Sequence, residues 1–192
     1  MLNKKAFAEM RAYMEDFDAL REKVIAESRI VLKTSKQAIY AAHRGDMKEA
    51  DNLVNNAKAS IKKIDVLLKK EAKLANTGAY SDAMEEYAEA ACYVHYLKNN
   101  TVPTAKQLEV DVETYLAALS DVVGELVRKA INSSIKADYK TALEIKDFVN
   151  ELYQELMLFD WRNVPVRKKF DSIKYGLEKL EDLALQIKFK KH

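Results

Sequence analysis

Residues 3–44, NKKAFAEMRAYMEDFDALREKVIAESRIVLKTSKQAIYAAHR, contain no glycine and no proline. Ala, Leu, Lys, Glu, Arg and Met dominate, and these are the residues that cost least in a helix. The stretch predicts one very long helix, ended by His43-Arg44-Gly45-Asp46. The rest of the chain follows the same rule. Only 4 Gly and 2 Pro occur in 192 residues, where average usage would give about 13 and about 10. A sheet protein needs more turn residues than that, so the chain reads as all-α.

Further breaks fall at Thr77-Gly78, Asn99-Asn100-Thr101-Val102-Pro103, Asn132-Ser133-Ser134 and Trp161-Arg162-Asn163-Val164-Pro165. They divide the remainder into six helical segments. These are 46–76 with Asp46 as N-cap, 81–99, a short turn after Pro103 capped by Thr104, 111–132, 138–159 and 164–188. With no linker, low-complexity tract or repeat, the expectation is one helical bundle over 1–192, in a single domain. The first two helices are charge-rich with narrow apolar faces, so they pack on one side only. Tyr40, Ile64, Leu67 and Leu68 either form an assembly surface or are covered within the monomer.

Lys plus Arg is 32 and Asp plus Glu is 30, a net charge of +2 that neither demands nor excludes nucleic acid. Residues 161–192 are more biased, with nine Lys/Arg against four Asp/Glu. That C-terminal helix is either a phosphate-facing surface or a solvated charged face. The one cysteine, Cys92, cannot make an intrachain disulfide, which suits a reducing compartment. No apolar run approaches the roughly 20 residues of a membrane span, and the charged start lacks a signal-peptide core. A cytoplasmic protein with no membrane association is expected.

The third segment, with EEYAEAACYVHYL at 85–97, looks ready for burial yet carries Glu86 and Glu89. On a helical wheel these two and Tyr93 lie within about 60° of one another. Buried carboxylates are costly unless paired with a cation or metal, or protonated. The fifth segment, ETYLAALSDVVGELVRKAI (113–131), places Asp121 and Glu125 four residues apart beside Ala117, Ala118 and Gly124. A mid-helix glycine costs about 1 kcal/mol against alanine, so Gly124 needs a reason, such as close approach of a helix or a ligand. If the two helices are neighbours, up to four carboxylates converge. A divalent cation would relieve their repulsion, and oxygen-only donors favour Mg²⁺ or Mn²⁺. Ordinary ion pairing is the competing reading: Glu125 can meet Lys129 at i+4, and Arg128 lies about two turns from Asp121. Tyr93 is expected to fill space. His95, roughly opposite Glu86, is expected to be a satisfied core histidine, and His43 and His192 sit at a helix end and at the terminus. No Ser/His/Asp set, Gly-rich phosphate loop or Cys cluster is present.

The most specific pieces, EYAEA (86–90), GELVRKAINS (124–133) and RKKFDSIKY (167–175), resemble the translin superfamily. Residues 28–44, SRIVLKTSKQAIYAAHR, are similar to the matching helix of its Trax branch. The likeness extends over nearly the whole chain beyond the first dozen residues. Trax carries two glutamates in an E-Y-x-E run and an aspartate four before the glutamate of G-E-L. Glu86, Glu89 and Asp121 occupy those positions, with Glu125 following.

The resemblance implies a seven-helix translin-like fold and a hollow octamer, formed here as a homo-oligomer of a compact archaeal-type member. It also implies Mg²⁺-dependent (or Mn²⁺-dependent) endoribonuclease activity on single-stranded RNA. Glu86, Glu89 and Asp121 would be catalytic and metal-binding, and Glu125 is a fourth candidate ligand. Arg21, Lys168 and Lys174 match family positions that contact nucleic acid. The alternative is a non-catalytic translin-type oligomer that binds single-stranded RNA or DNA.

Overall fold

The computed structural model describes residues 1–162 and 165–190. Among them are seven α-helices and one 3-10 helix, with no strand. The chain forms two compact units, Met1–Ala90 and Ala91–His192.

In the first unit, α1 (Lys4–Arg44) is unbroken, as residues 3–44 predict. Gly45 ends it at φ 85°, a left-handed conformation that glycine adopts without a side-chain clash. Its N–H reaches back to the Ala41 and Ala42 carbonyls. Asp46 then caps α2 (Met47–Leu68), its carboxylate accepting from the Glu49 amide at 3.1 Å. α1 and α2 pack on each other. The buried α1 positions Val24, Ser28, Val31, Ser35, Ala38 and Ala42 recur at alternating four- and three-residue steps, the spacing of a coiled-coil seam. Ala50, Ala57, Ser60, Ile61 and Ile64 are the buried residues of α2. The Ser28 and Ser35 hydroxyls in this seam have no hydrogen-bond partner among the described residues.

Two expectations change here. The second segment does not continue to Asn76. α2 stops at Leu68, and a 3-10 helix covers Ala72–Asn76. Glu71 makes the break, accepting from the Lys73 amide at 3.1 Å and from the Tyr13 hydroxyl at 3.0 Å. The Tyr13 contact spans 58 residues, so helical periodicity could not reveal it. Ile64 is fully buried while Tyr40 is exposed, so the proposed assembly surface does not hold together as one patch. α1 instead leaves Phe7, Met10 and Met14 exposed near its start.

α3 (Gly78–Asn99) begins three residues earlier than expected and runs from the first unit into the second. In the second unit, α4 (Ala105–Leu108) starts with Thr104 in a capping box with Gln107. α5 (Val112–Ile135) and α6 (Tyr139–Met157) are capped by Asp111 and Asp138. α7 spans Pro165–Lys190. The expected start at Val164, the Asn163-Val164 break and His192 lie outside the described residues. α5, α6 and α7 pack pairwise, with Val122, Leu126, Ile145, Val149, Ile173 and Leu180 almost fully buried. No helix of the described residues is long and apolar enough to cross a membrane.

Candidate functional site

α3 presents the first two acids. Its alanines and aromatics are buried: Tyr87, Ala88, Ala90, Cys92, Tyr93 and Tyr96 are nearly inaccessible. Glu86 and Glu89 stay partly accessible among them. The Glu86 carboxylate is only 18% exposed and has the Lys36 ammonium of α1 at 3.6 Å. A partly buried carboxylate with a cation nearby avoids most of the cost of lone burial. Tyr93, one turn beyond Glu89, is fully buried. It fills space, as expected. Burial pushes its hydroxyl pKa up, and the neighbouring Glu125 carboxylate adds to that. The phenol is therefore neutral at physiological pH.

α5 presents the second pair. The Lys169 ammonium of α7 donates to Asp121 Oδ2 at 2.6 Å, with both side chains about one-third exposed. This is a short, charge-assisted hydrogen bond. Glu125 meets the Arg128 guanidinium at 3.9 Å. Spacing alone had suggested Lys129, four residues on, but the partner seen here lies three residues on. Gly124, between the acids in sequence, is exposed, and a Cβ built on it would touch nothing within 4 Å. The helix contact expected at this glycine occurs elsewhere. A Cβ on Gly176 of α7 would lie 2.9 Å from Val123 Cγ1 and 3.4 Å from Val127 Cγ2. Gly176 is thus the residue that lets α5 and α7 approach.

The three basic candidates are exposed. Arg21 on α1 sits 3.5 Å from Asp18, a loose surface pair. Lys174 Nζ lies over the Tyr175 ring at 4.9 Å. At 100° per residue, Lys174 shares a flank of α7 with Arg167, while Lys168 points away from the buried face and shares its side with Tyr175. Lys168 and Lys174 therefore do not form one patch on that helix. His95 is half-buried and is not a core histidine. Its Nδ1 lies 2.8 Å from the Thr101 carbonyl, which fixes the proton on that nitrogen.

Sequence reasoning missed Lys36 and Lys169, the cations that face the acids. Lys169 stands beside the singled-out Lys168, and it lies seven residues before Gly176, on the side of α7 that meets α5. That phase was the available signal. The donor chemistry of the four carboxylates suits a hard divalent cation. Among the described residues, however, no group of three or more His, Cys, Asp or Glu side chains is arranged to hold a metal ion. Asp121 would have to exchange its Lys169 contact in order to ligate one.

Comparison with known proteins places this geometry in a family. Translin of Gallus gallus is 30% identical over 111 residues, covering 50% of this chain and 48% of that protein. The chain thus matches about half the length of the translins. An uncharacterised protein of Methanocaldococcus jannaschii is 28% identical over 171 residues, covering 87% of this chain and 76% of the other. Mouse translin-associated protein X is 22% identical over 222 aligned positions, covering 93% and 77%. Among solved structures, AfC3PO in its complex with duplex RNA superposes with a TM-score of 0.88 at 25% identity, covering 96% of this chain and 97% of that one. The Translin family pattern itself matches residues 19–191, and the chain belongs to that family.

Proposed function

We propose that this chain is a metal-dependent endoribonuclease that cuts single-stranded RNA, acting as one translin-like domain within a cytoplasmic homo-oligomer, an octameric shell. Glu86, Glu89 and Asp121 would hold Mg²⁺ or Mn²⁺, with Glu125 as a further ligand. The observation that carries this reading is that the acids are held partly buried, with three of the four facing cations. Glu86 faces Lys36, Asp121 faces Lys169 and Glu125 faces Arg128. Carboxylate oxygens are the hard donors that a divalent ion such as Mg²⁺ takes. A bound ion would polarise the scissile phosphate and lower the pKa of an attacking water.

The protein's own groups have separable roles. Lys169 is the cation held against Asp121, at the side of the acids where a phosphate would be drawn. Arg21, Lys168 and Lys174 contribute phosphate attraction that is sequence-independent and weakens with salt. Tyr93 stays neutral and packs the helix behind the acids. The exposed Phe7, Met10 and Met14 of α1 favour burial against another subunit. AfC3PO was solved with duplex RNA, so duplex substrate belongs in the assay.

A second reading has its own support. The 2.6 Å Asp121–Lys169 pair already satisfies that carboxylate, as a non-catalytic RNA- or DNA-binding oligomer would require. The test is cleavage of labelled single-stranded and duplex RNA in Mg²⁺ or Mn²⁺, with EDTA and Asp121→Asn controls. The nuclease reading expects cleavage that both controls abolish. Salt-sensitive binding with no cleavage, unchanged in the variant, would establish the binding-only reading.

A further inference from the structure

The aromatic side chains at the α6–α7 junction are stacked. Tyr153 of α6 and Phe170 of α7 lie 5.5 Å apart with ring planes at 15°. Trp161 covers Phe170 at 5.2 Å and 21°. Phe159 covers Trp161 at 5.3 Å and 27°. The series starts at half-buried Tyr153, passes through buried Phe170 and half-buried Trp161, and ends at Phe159, which is 46% exposed. These separations are those of offset-stacked aromatic pairs.

The middle ring is held in place. The Trp161 indole N–H donates to the Leu156 carbonyl at 2.7 Å, and its backbone N–H donates to the Phe159 carbonyl at 3.0 Å. The Arg167 guanidinium donates to the Trp161 carbonyl at 3.1 Å. An exposed ring on a fixed ladder offers a flat, ordered surface, so a stacking partner loses little in ordering the protein side. Two guanidinium groups accompany it. Arg162 is almost fully exposed and only loosely paired with Asp160, at 3.7 Å. Arg167 is half-exposed and lies 3.9 Å from Asp171. Such exposed pairs are weak and exchange readily for a phosphate.

An aromatic face beside exchangeable cations fits a nucleobase with its adjacent phosphate. We propose that Phe159 is a stacking site for an unpaired base of single-stranded RNA, extending the Phe159–Trp161–Phe170–Tyr153 ladder by one ring, with Arg162 and Arg167 taking the neighbouring phosphates. This rests on the RNA-binding reading above but not on the carboxylates or any metal.

The single tryptophan makes the site observable. In the double variant Phe159→Trp with Trp161→Phe, the only indole becomes the terminal ring. Titration with oligoadenylate should quench it in step with the binding seen by anisotropy. An abasic strand of equal length should bind without quenching. Phe159→Ala, a change at an exposed position, should weaken oligoadenylate binding by about 5- to 150-fold and leave abasic-strand binding unchanged. Oligoadenylate binding with no quenching and no loss in Phe159→Ala would overturn the stacking site while leaving RNA binding intact. Failure to bind either strand would overturn the RNA-binding reading, and this site with it. Sedimentation of Phe159→Ala gives a further check: dissociation of the oligomer would make the exposed ring a subunit contact and overturn the proposal.

Discussion

Two sides of α5 behave as opposites. Toward α7, Val123 and Val127 close onto Gly176 so tightly that a single methyl group would collide. Around Asp121, Gly124 and Glu125 the same helix is partly open, its acids held by Lys169 and Arg128 and its glycine facing empty space. On the first side, shape decides which residues are allowed. On the second, charge is balanced and shape is undemanding. A helix surface that is loosely packed yet electrostatically organised is suited to binding something charged, whereas the closed side only holds the unit together.

The largest effect that would break this contrast concerns the open side. Asp121→Asn preserves size and should lower metal-dependent RNA cleavage more than about 100-fold, since even residues that only support ligands commonly cost 10- to 100-fold. Its unfolding midpoint in EDTA should shift little. A variant that cleaves normally would remove Asp121 from the metal set.

The closed side should answer in stability instead. Gly176→Ala gains helix propensity worth about 1 kcal/mol but forces Val123 to move, and overpacking costs about 1–3 kcal/mol. A net loss of about 1 kcal/mol is expected in urea denaturation. Adding Val123→Ala should make the glycine replacement less damaging, because it removes the methyl group 2.9 Å away.

Lys169→Met joins the two sides, since Lys169 belongs to α7 but serves the open side of α5. Losing a partly exposed pair should cost about 1 kcal/mol or less. Added Mg²⁺ should then raise the melting temperature more in this variant than in the parent, because an ion can replace the lost ammonium. Equal responses in the two proteins would mean that Asp121 does not bind the ion.

The smallest change expected is a gain. Gly124→Ala meets nothing within 4 Å and should stabilise the chain by up to about 1 kcal/mol. A loss, measured alongside the sedimentation coefficient, would indicate that another subunit approaches this side.

Much of the architecture was legible in the residues themselves. Scarcity of Gly and Pro, the uninterrupted 3–44 run and the caps Asp46 and Thr104 are local properties, and the helices start and stop close to where those signals stand. The acids were legible as well, because carboxylates on an otherwise buried helix stand out by type alone. The end of α2 was not legible, because the Tyr13–Glu71 hydrogen bond joins residues far apart in the chain. Lys169 was passed over for its neighbour Lys168, since charge and composition are identical and only the phase against α5 separates them. The aromatic ladder was invisible for a similar reason. Tyr153, Phe159, Trp161 and Phe170 are unremarkable as a list, and they become a stack only where α7 returns along α6.

By itself the sequence therefore determined the helices, most of their ends and the identity of the acidic residues, because backbone propensity and capping act over a few residues. Which lysine faces which acid, which glycine admits a neighbouring helix and which rings stack were decided only by tertiary structure. Those relations depend on distances between segments that are remote along the chain, and packing alone sets them.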